Sequence, residues 1–97
     1  FLLMHSPCPT GWKSEPGESV ELVRIAVASG LFPVYEVFDG ANYRINVRSE
    51  GADPAGYFAR QGRFREGDID LDVTRKICAA RTRRLQLLEA QFPHIAD

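Results

Sequence analysis

Two cysteines are the residues that could carry the most specific chemistry in this sequence. Cys8 lies between two prolines, and Cys78 follows far along the chain. They form no Cys-x-x-Cys pair for zinc or redox work, and iron–sulfur clusters usually take four thiolates. A nucleophilic role for Cys8 needs a base, and His5 is the only histidine near it in the sequence. Composition alone favours a buried apolar thiol at Cys8, with a nucleophile and a metal ligand as open alternatives.

Other polar clusters are better explained by structure than by chemistry. Asp68, Asp70 and Asp72 are spaced two apart, which does not suit one helical face, so we predict that they provide the cap and first-turn charges of a helix. The basic residues within 81–84 are few and have no interleaved aromatic residue, which argues against a nucleic-acid patch. His94 follows the last predicted helix, and we expect it to lie in a frayed tail.

Length and charge limit the class of protein. The 97 residues carry 12 basic and 13 acidic side chains, a net charge of −1, which suits a single small domain and gives no electrostatic reason to expect nucleic acid or an anionic membrane as partner. No apolar run approaches the roughly 20 residues that span a bilayer. Two free cysteines are typical of a reducing compartment, so we expect a cytoplasmic protein. Because the chain starts at Phe1 rather than Met, we expect it to be a piece of something larger.

The first third of the chain predicts a strand, a rigid loop and a helix. Phe1–Met4 is a short continuous apolar run before a proline-rich loop, which favours a buried strand of a parallel sheet. Ser14 or Glu15 can cap the helix that follows, Pro16 suits its first turn, and Gly30 suits its end. Its apolar residues recur at helical spacing over a wide arc, which indicates packing on more than one side. They are Val20, Leu22, Val23, Ile25, Ala26, Val27 and Leu31.

A hairpin is predicted next. The runs 34–38 and 43–47 are β-branched and aromatic, and Asp39-Gly40 between them is a strong turn signal. The same Asp-Gly, with Asn42 after it, partly matches a thiamine-diphosphate signature, but Phe38 stands where that motif has its first glycine. We therefore predict a turn rather than a cofactor site.

Two further helices are predicted after the hairpin. Asp53-Pro54 starts a short helix over 55–60, closed by Gly62. A long helix begins at Asp68 or Asp70 and runs to about Gln91. Its predicted apolar face consists of Val73, Ile77, Leu85, Leu88 and Phe92, with Arg81 and Arg84 inside the same arc. These two arginines either extend along apolar surface or meet carboxylates of another chain.

Three stretches in register resemble one family. They are Ser6-Pro7-Cys8-Pro9-Thr10-Gly11-Trp12, then Leu31-Phe32-Pro33-Val34-Tyr35-Glu36-Val37, then Tyr57-Phe58-Ala59-Arg60-Gln61-Gly62-Arg63-Phe64. Their order and spacing closely resemble the C-terminal part of the beta subunit of 2-oxoacid:ferredoxin oxidoreductases of the pyruvate synthase type. The resemblance covers about residues 1–65, and the last helix is compatible with it but weakly diagnostic.

This resemblance implies an activity and a role for Cys8. The family oxidatively decarboxylates a 2-oxoacid on thiamine diphosphate with magnesium, passes electrons through [4Fe-4S] clusters to ferredoxin, and forms an acyl-CoA. Cys8 matches the last of the four thiolates that hold one such cluster, and Thr10, Gly11 and Trp12 match the motif around it. The implied partners are the remainder of the beta subunit, the other subunits and ferredoxin. The other cluster ligands and the Gly-Asp-Gly thiamine motif are absent from this chain, so we expect no bound cofactor and no turnover from it alone.

The fold expected is therefore an α/β fragment that forms a single C-terminal segment. Residues 1–31 would complete a thiamine-binding sheet with the ligand loop and a packed helix, residues 32–48 the hairpin, and residues 49–97 a helical tail. A non-enzymatic domain that binds partners through its hairpin and last helix is the alternative from another class. A small thiol enzyme that uses Cys8 and His5 is a third.

Overall fold

The computed structural model describes residues 1–95. Within these residues, five helical pieces and one hairpin follow each other in sequence. They are α1 (Pro9–Trp12), a 3-10 turn (Pro16–Glu18), α2 (Ser19–Ser29), β1 (Val34–Phe38), β2 (Asn42–Val47), α3 (Ala55–Ala59) and α4 (Leu71–Gln91). This mixed α/β arrangement confirms the fold class predicted from the sequence.

The helix α2 supplies most of the core. It continues directly from the 3-10 turn that begins at Pro16, and it ends at Gly30, whose φ of 88° is a left-handed conformation that glycine adopts without strain. Leu22, Ile25 and Ala26 are buried, whereas Val20 is exposed. The main buried face is thus turned away from Val20, towards α3 and the aromatic residues that surround it.

The short helix α3 closes this core from the other side. It begins directly after Asp53-Pro54, as predicted, and the Asp53 Oδ1 accepts the Ala55 amide at 2.9 Å. Tyr57 is buried against α2, and four half-buried residues pack around the cluster. They are Trp12, Leu31, Phe32 and Phe58.

The hairpin forms where the sequence predicts it. Asp39 and Gly40 both have positive φ, 55° and 67°, as tight hairpin turns with the matching twist require. In β2, Tyr43 and Ile45 are half-buried and Arg44 between them is exposed, so the side chains alternate between a packed and an exposed side of the strand. Val47, on the same side as Tyr43 and Ile45, is exposed.

The long helix α4 begins and ends as predicted, but its packed face differs. The Asp70 carboxylate caps it by accepting the Val73 amide at 3.1 Å. In the first half of α4 the buried residue is Cys78, whereas Val73 and Ile77 are half-exposed. The predicted apolar face is therefore wrong in this half, because the C-terminal end of α2 contacts α4 on the side of Cys78.

Glu89 joins the second half of α4 to the hairpin. Its Oε2 accepts the Ile45 amide at 2.6 Å, and its Oε1 pairs with Arg48 at 2.7 Å. The backbone hydrogen bond and the Arg48 guanidinium lower the pKa of the Glu89 carboxyl, so the contact is made by its charged form.

The predicted strand at Phe1–Met4 does not form in this structure. These four side chains are exposed, and the sheet formed by residues 1–95 contains β1 and β2 alone. A strand is stabilised by pairing with a neighbour, and the described residues offer Phe1–Met4 no neighbouring strand. Among residues 1–95, no helix is both long enough and apolar enough to cross a bilayer.

Candidate functional site

Cys8 lies exposed at the start of α1. Its backbone is extended, with φ of −117° and ψ of 100°, as the following Pro9 requires. The Cys8 Sγ accepts the Gly11 amide at 3.4 Å, and the Cys8 carbonyl accepts the Trp12 amide at 2.8 Å. These two bonds orient the thiol at the surface, so the buried apolar role that composition favoured is wrong.

His5 packs against the aromatic core and not against Cys8. Its Nε2 lies 3.2 Å from the Tyr57 hydroxyl, and its ring stacks on Phe32 with centroids 5.0 Å apart. Burial and then the charge of Arg63 lower the pKa of His5, which favours the neutral ring. No hydrogen bond joins His5 to Cys8 in the described part of the chain, so the pair that a thiol enzyme needs is not formed.

The segment 61–64 lies directly against the end of the turn that carries Cys8. The Gly62 amide donates to the Lys13 carbonyl at 2.8 Å, and the Arg63 amide donates to the Trp12 carbonyl at 3.2 Å. The Arg63 guanidinium carbon lies 4.1 Å from the centroid of the Trp12 ring. The first and third of the stretches that resemble the beta-subunit motifs, about fifty residues apart, are therefore in contact.

Gln61 fixes the orientation of Arg63 from the buried side. It is 1% exposed, its Nε2 donates to the Tyr57 carbonyl at 2.7 Å, and its Oε1 accepts the Arg63 Nε at 2.7 Å. Both ends of this amide are thus used, as a buried polar group requires. Reasoning from residue types alone assigned no role to Gln61, because its partners become visible only once the chain is folded.

Gly62 makes the close approach possible. A Cβ at this position would lie 2.9 Å from the Lys13 Cβ and 3.0 Å from the Lys13 carbonyl oxygen. Any larger residue would push the two backbones apart. The glycine in the middle of this motif is therefore explained by contact with the Cys8 turn.

The remaining candidate residues lie elsewhere and act structurally. Cys78 is buried in α4, and burial raises its pKa. Arg81 Nη1 donates to the Leu31 carbonyl at 2.7 Å, just after the end of α2, so this arginine has a hydrogen-bond partner within its own chain. Arg84 is exposed. The prediction of a frayed His94 is wrong, because its ring stacks on Phe38 with centroids 3.5 Å apart.

Cys8 fits the role of one cluster ligand and no more. Its sulfur is exposed, is held by a backbone amide, and is of the type that iron–sulfur clusters use. No group of three or more histidine, cysteine, aspartate or glutamate residues within residues 1–95 could hold a metal ion. Among residues 1–95, Cys8 is therefore the one exposed thiol that could serve as such a ligand.

Comparison with known proteins gives relatives along most of the chain. It is 30% identical over 96 residues to the ketoisovalerate oxidoreductase subunit VorB of Pyrococcus abyssi, which covers 95% of this chain and 30% of that protein. It is 39% identical over 66 residues to the pyruvate synthase subunit PorB of Methanothermobacter thermautotrophicus, which covers 67% of this chain and 23% of that subunit. The PorB of Methanocaldococcus jannaschii is 35% identical over 78 residues, 78% of this chain and 26% of that subunit.

No protein-family model matches the chain. The chain spans less than a third of the length of these curated relatives. Their names confirm the resemblance to oxidoreductase beta subunits, and the chain is homologous to a segment of the PorB subunits of pyruvate synthases and the VorB subunits of ketoisovalerate oxidoreductases.

Proposed function

We propose that this chain is part of the beta subunit of a 2-oxoacid:ferredoxin oxidoreductase and that Cys8 supplies one ligand of a [4Fe-4S] cluster. The observation that carries the proposal is the exposed Cys8 thiol on a turn that contacts the third motif of the resemblance, residues 57–64. The relatives support it, because they are subunits of pyruvate and ketoisovalerate oxidoreductases. We assign pyruvate as the substrate, with ketoisovalerate as the alternative that the VorB names raise.

The residues of this chain would bind and orient, while the chemistry comes from groups held in the complete enzyme. There, thiamine diphosphate with magnesium, [4Fe-4S] clusters, coenzyme A and ferredoxin would together convert the 2-oxoacid into an acyl-CoA and accept its electrons. Cys8 would hold iron through its thiolate, and the Gly11 amide would donate a hydrogen bond to that sulfur. Trp12 would pack beside the site on its protein side.

The same geometry explains why the 97-residue chain should be inactive alone. One exposed thiolate cannot hold a cluster that needs four, and the second cysteine is buried in α4. The partners we assign are the remainder of the beta subunit and the other subunits, with ferredoxin as electron acceptor, and neither nucleic acid nor membrane. We assign the protein to the cytoplasm, where free thiols are maintained.

The test replaces each cysteine in turn in the complete oxidoreductase. Cys8→Ala should remove one cluster's iron, its visible absorption and its electron-paramagnetic signal. Cys78→Ala is the matched control, because this thiol is buried and only 4% exposed, and it should leave all three unchanged. Full iron content and an unchanged signal in Cys8→Ala would overturn the assignment.

A non-enzymatic interaction domain is the second candidate. The outer side of α4 leaves Val73, Ile77 and Leu87 half-exposed, a feature that suits contact with another protein. If this candidate is correct, the Cys8→Ala protein will bind the same partners, and its iron content and electron-paramagnetic signal will not change. The cysteine replacements therefore separate the two candidates.

A further inference from the structure

We propose that Arg63 is a positioning residue for Cys8: its guanidinium, aimed by Gln61 and stacked on Trp12, fixes the turn that presents the thiol. The contacts of Arg63 with Gln61 and Trp12 are present in the chain itself. The consequence for a cluster rests on the function proposed above. Arg63 does not contact the sulfur in any hydrogen bond of the described residues, so its effect on Cys8 passes through Trp12.

The first step runs from the buried core to the guanidinium. Gln61 is 1% exposed and is anchored to the Tyr57 carbonyl, so its Oε1 points in a fixed direction. The Arg63 Nε donates to that oxygen at 2.7 Å. An exposed arginine ordinarily samples many rotamers, and this bond to a buried amide selects one of them.

The second step runs from the guanidinium to the thiol. The selected rotamer places the Arg63 guanidinium carbon 4.1 Å from the centre of the Trp12 ring, with the Phe64 ring 4.8 Å away. A cation over an aromatic face is attracted by the ring quadrupole, and the planar guanidinium also stacks. The Trp12 amide in turn donates to the Cys8 carbonyl at 2.8 Å, which closes the single helical turn of α1.

A turn this short needs such external support. Four residues form too few intrahelical bonds to be stable in water by themselves. The backbone bonds from Gly62 and Arg63 fix the end of the turn, and the guanidinium covers the Trp12 ring. Removing the Arg63 side chain leaves the two backbone bonds but frees the ring, so the turn should open more often.

The test measures the opening directly, without iron. In the protein that carries this chain, the Trp12 amide of Arg63→Ala should exchange its hydrogen about tenfold faster, the factor that corresponds to about 1.4 kcal/mol. Arg63→Lys keeps the charge but not the planar group, and should recover part of this protection. Arg65→Ala is the matched control, since Arg65 is exposed in the same loop.

Amides within α4 separate positioning from general destabilisation. If Trp12 exchanges faster while the α4 amides keep their rates, the positioning role is supported. Equal acceleration at both places, or an unchanged Trp12 rate, would overturn it.

A second arm uses the complete, iron-loaded oxidoreductase. Arg63→Ala should alter the line shape of the electron-paramagnetic signal of the reduced cluster at unchanged iron content, and an unaltered line shape would contradict the link to the cluster. If the proposed function is wrong, the cluster will survive Cys8→Ala. That outcome would not affect the hydrogen-exchange result for Arg63→Ala.

Discussion

Replacing Gly62 with alanine should loosen the contact between the Cys8 turn and the segment 61–64. An added Cβ would lie 2.9 Å from the Lys13 Cβ and 3.0 Å from the Lys13 carbonyl oxygen, so the neighbouring backbones must separate. The separation would lengthen the bonds of 2.8 Å from Gly62 and 3.2 Å from Arg63 to the Cys8 turn. The φ of this glycine is not positive, so backbone strain adds nothing to the steric effect in the folded state.

The magnitude follows from these two bonds. Each contributes roughly 0.5–1.5 kcal/mol, so weakening both costs about 1–3 kcal/mol. Alanine also restricts the unfolded chain, which returns about 0.4–1 kcal/mol. We therefore expect Gly62→Ala to lower the free energy of unfolding by about 1–2 kcal/mol.

Urea unfolding followed by tryptophan fluorescence is the assay, because Trp12 is the only tryptophan and lies in the affected contact. Gly17→Ala is the matched control: nothing lies within 4 Å of a Cβ there, its φ is not positive, and alanine suits the helical turn that contains it. Gly17→Ala should leave stability unchanged or raise it. Equal effects of the two replacements would refute the steric argument.

Three further outcomes are expected. Iodoacetamide should modify Cys8 roughly tenfold faster than Cys78, because Cys78 is 4% exposed and burial raises its pKa. Peptide mass spectrometry can follow both reactions, and similar rates would contradict the burial of Cys78. Since burial and the neighbouring guanidinium lower the pKa of His5 below 6.5, the unfolded chain binds its proton more readily, and the stability from this site should be complete above pH 6.5 and decline below it. His5→Gln should flatten that decline in urea titrations at several pH values, and an unchanged slope would argue against it. Arg81→Met should lower the free energy of unfolding by about 1 kcal/mol, because the hydrogen bond to the Leu31 carbonyl is lost. Replacing the exposed Arg83 in the same way should not, and equal effects of Arg81→Met and Arg83→Met would refute the contribution of this bond.

Local signals allowed most elements to be predicted. Asp39-Gly40 forms the hairpin turn because both residues adopt the positive φ that such turns need. Asp70 caps α4 and Gly30 ends α2 for reasons contained within a few neighbouring residues. Elements of this kind depend on short-range geometry, which the order of residue types specifies.

The packed face of α4 could not be predicted in the same way. Periodicity placed Ile77 on the predicted apolar face and left Cys78 outside it, but apolar residues surround much of this helix. The choice is made by the end of α2, where a Cβ on Gly30 would lie 2.7 Å from the Thr82 Oγ1 and 3.3 Å from the Cys78 carbonyl. Close approach at that glycine turns Cys78 inwards and leaves Ile77 half-exposed.

The candidate site shows the same division between local and distant causes. The extended backbone at Cys8 follows from Pro9, and the sequence resemblance identified the segments around Cys8 and Gln61 as separate motifs. Their contact depends on α2, which lies between them in the sequence, and on α3, which overlaps the start of the stretch 57–64. These two helices bring Trp12 and Tyr57 to one cluster. Burying a glutamine is costly unless both ends of its amide are bonded, and Gln61 meets this condition through Tyr57 and Arg63. The third motif thereby supports the turn that exposes the thiol. The first and third motifs thus form one structural unit, and a replacement in either should change the conformation of the turn at Cys8.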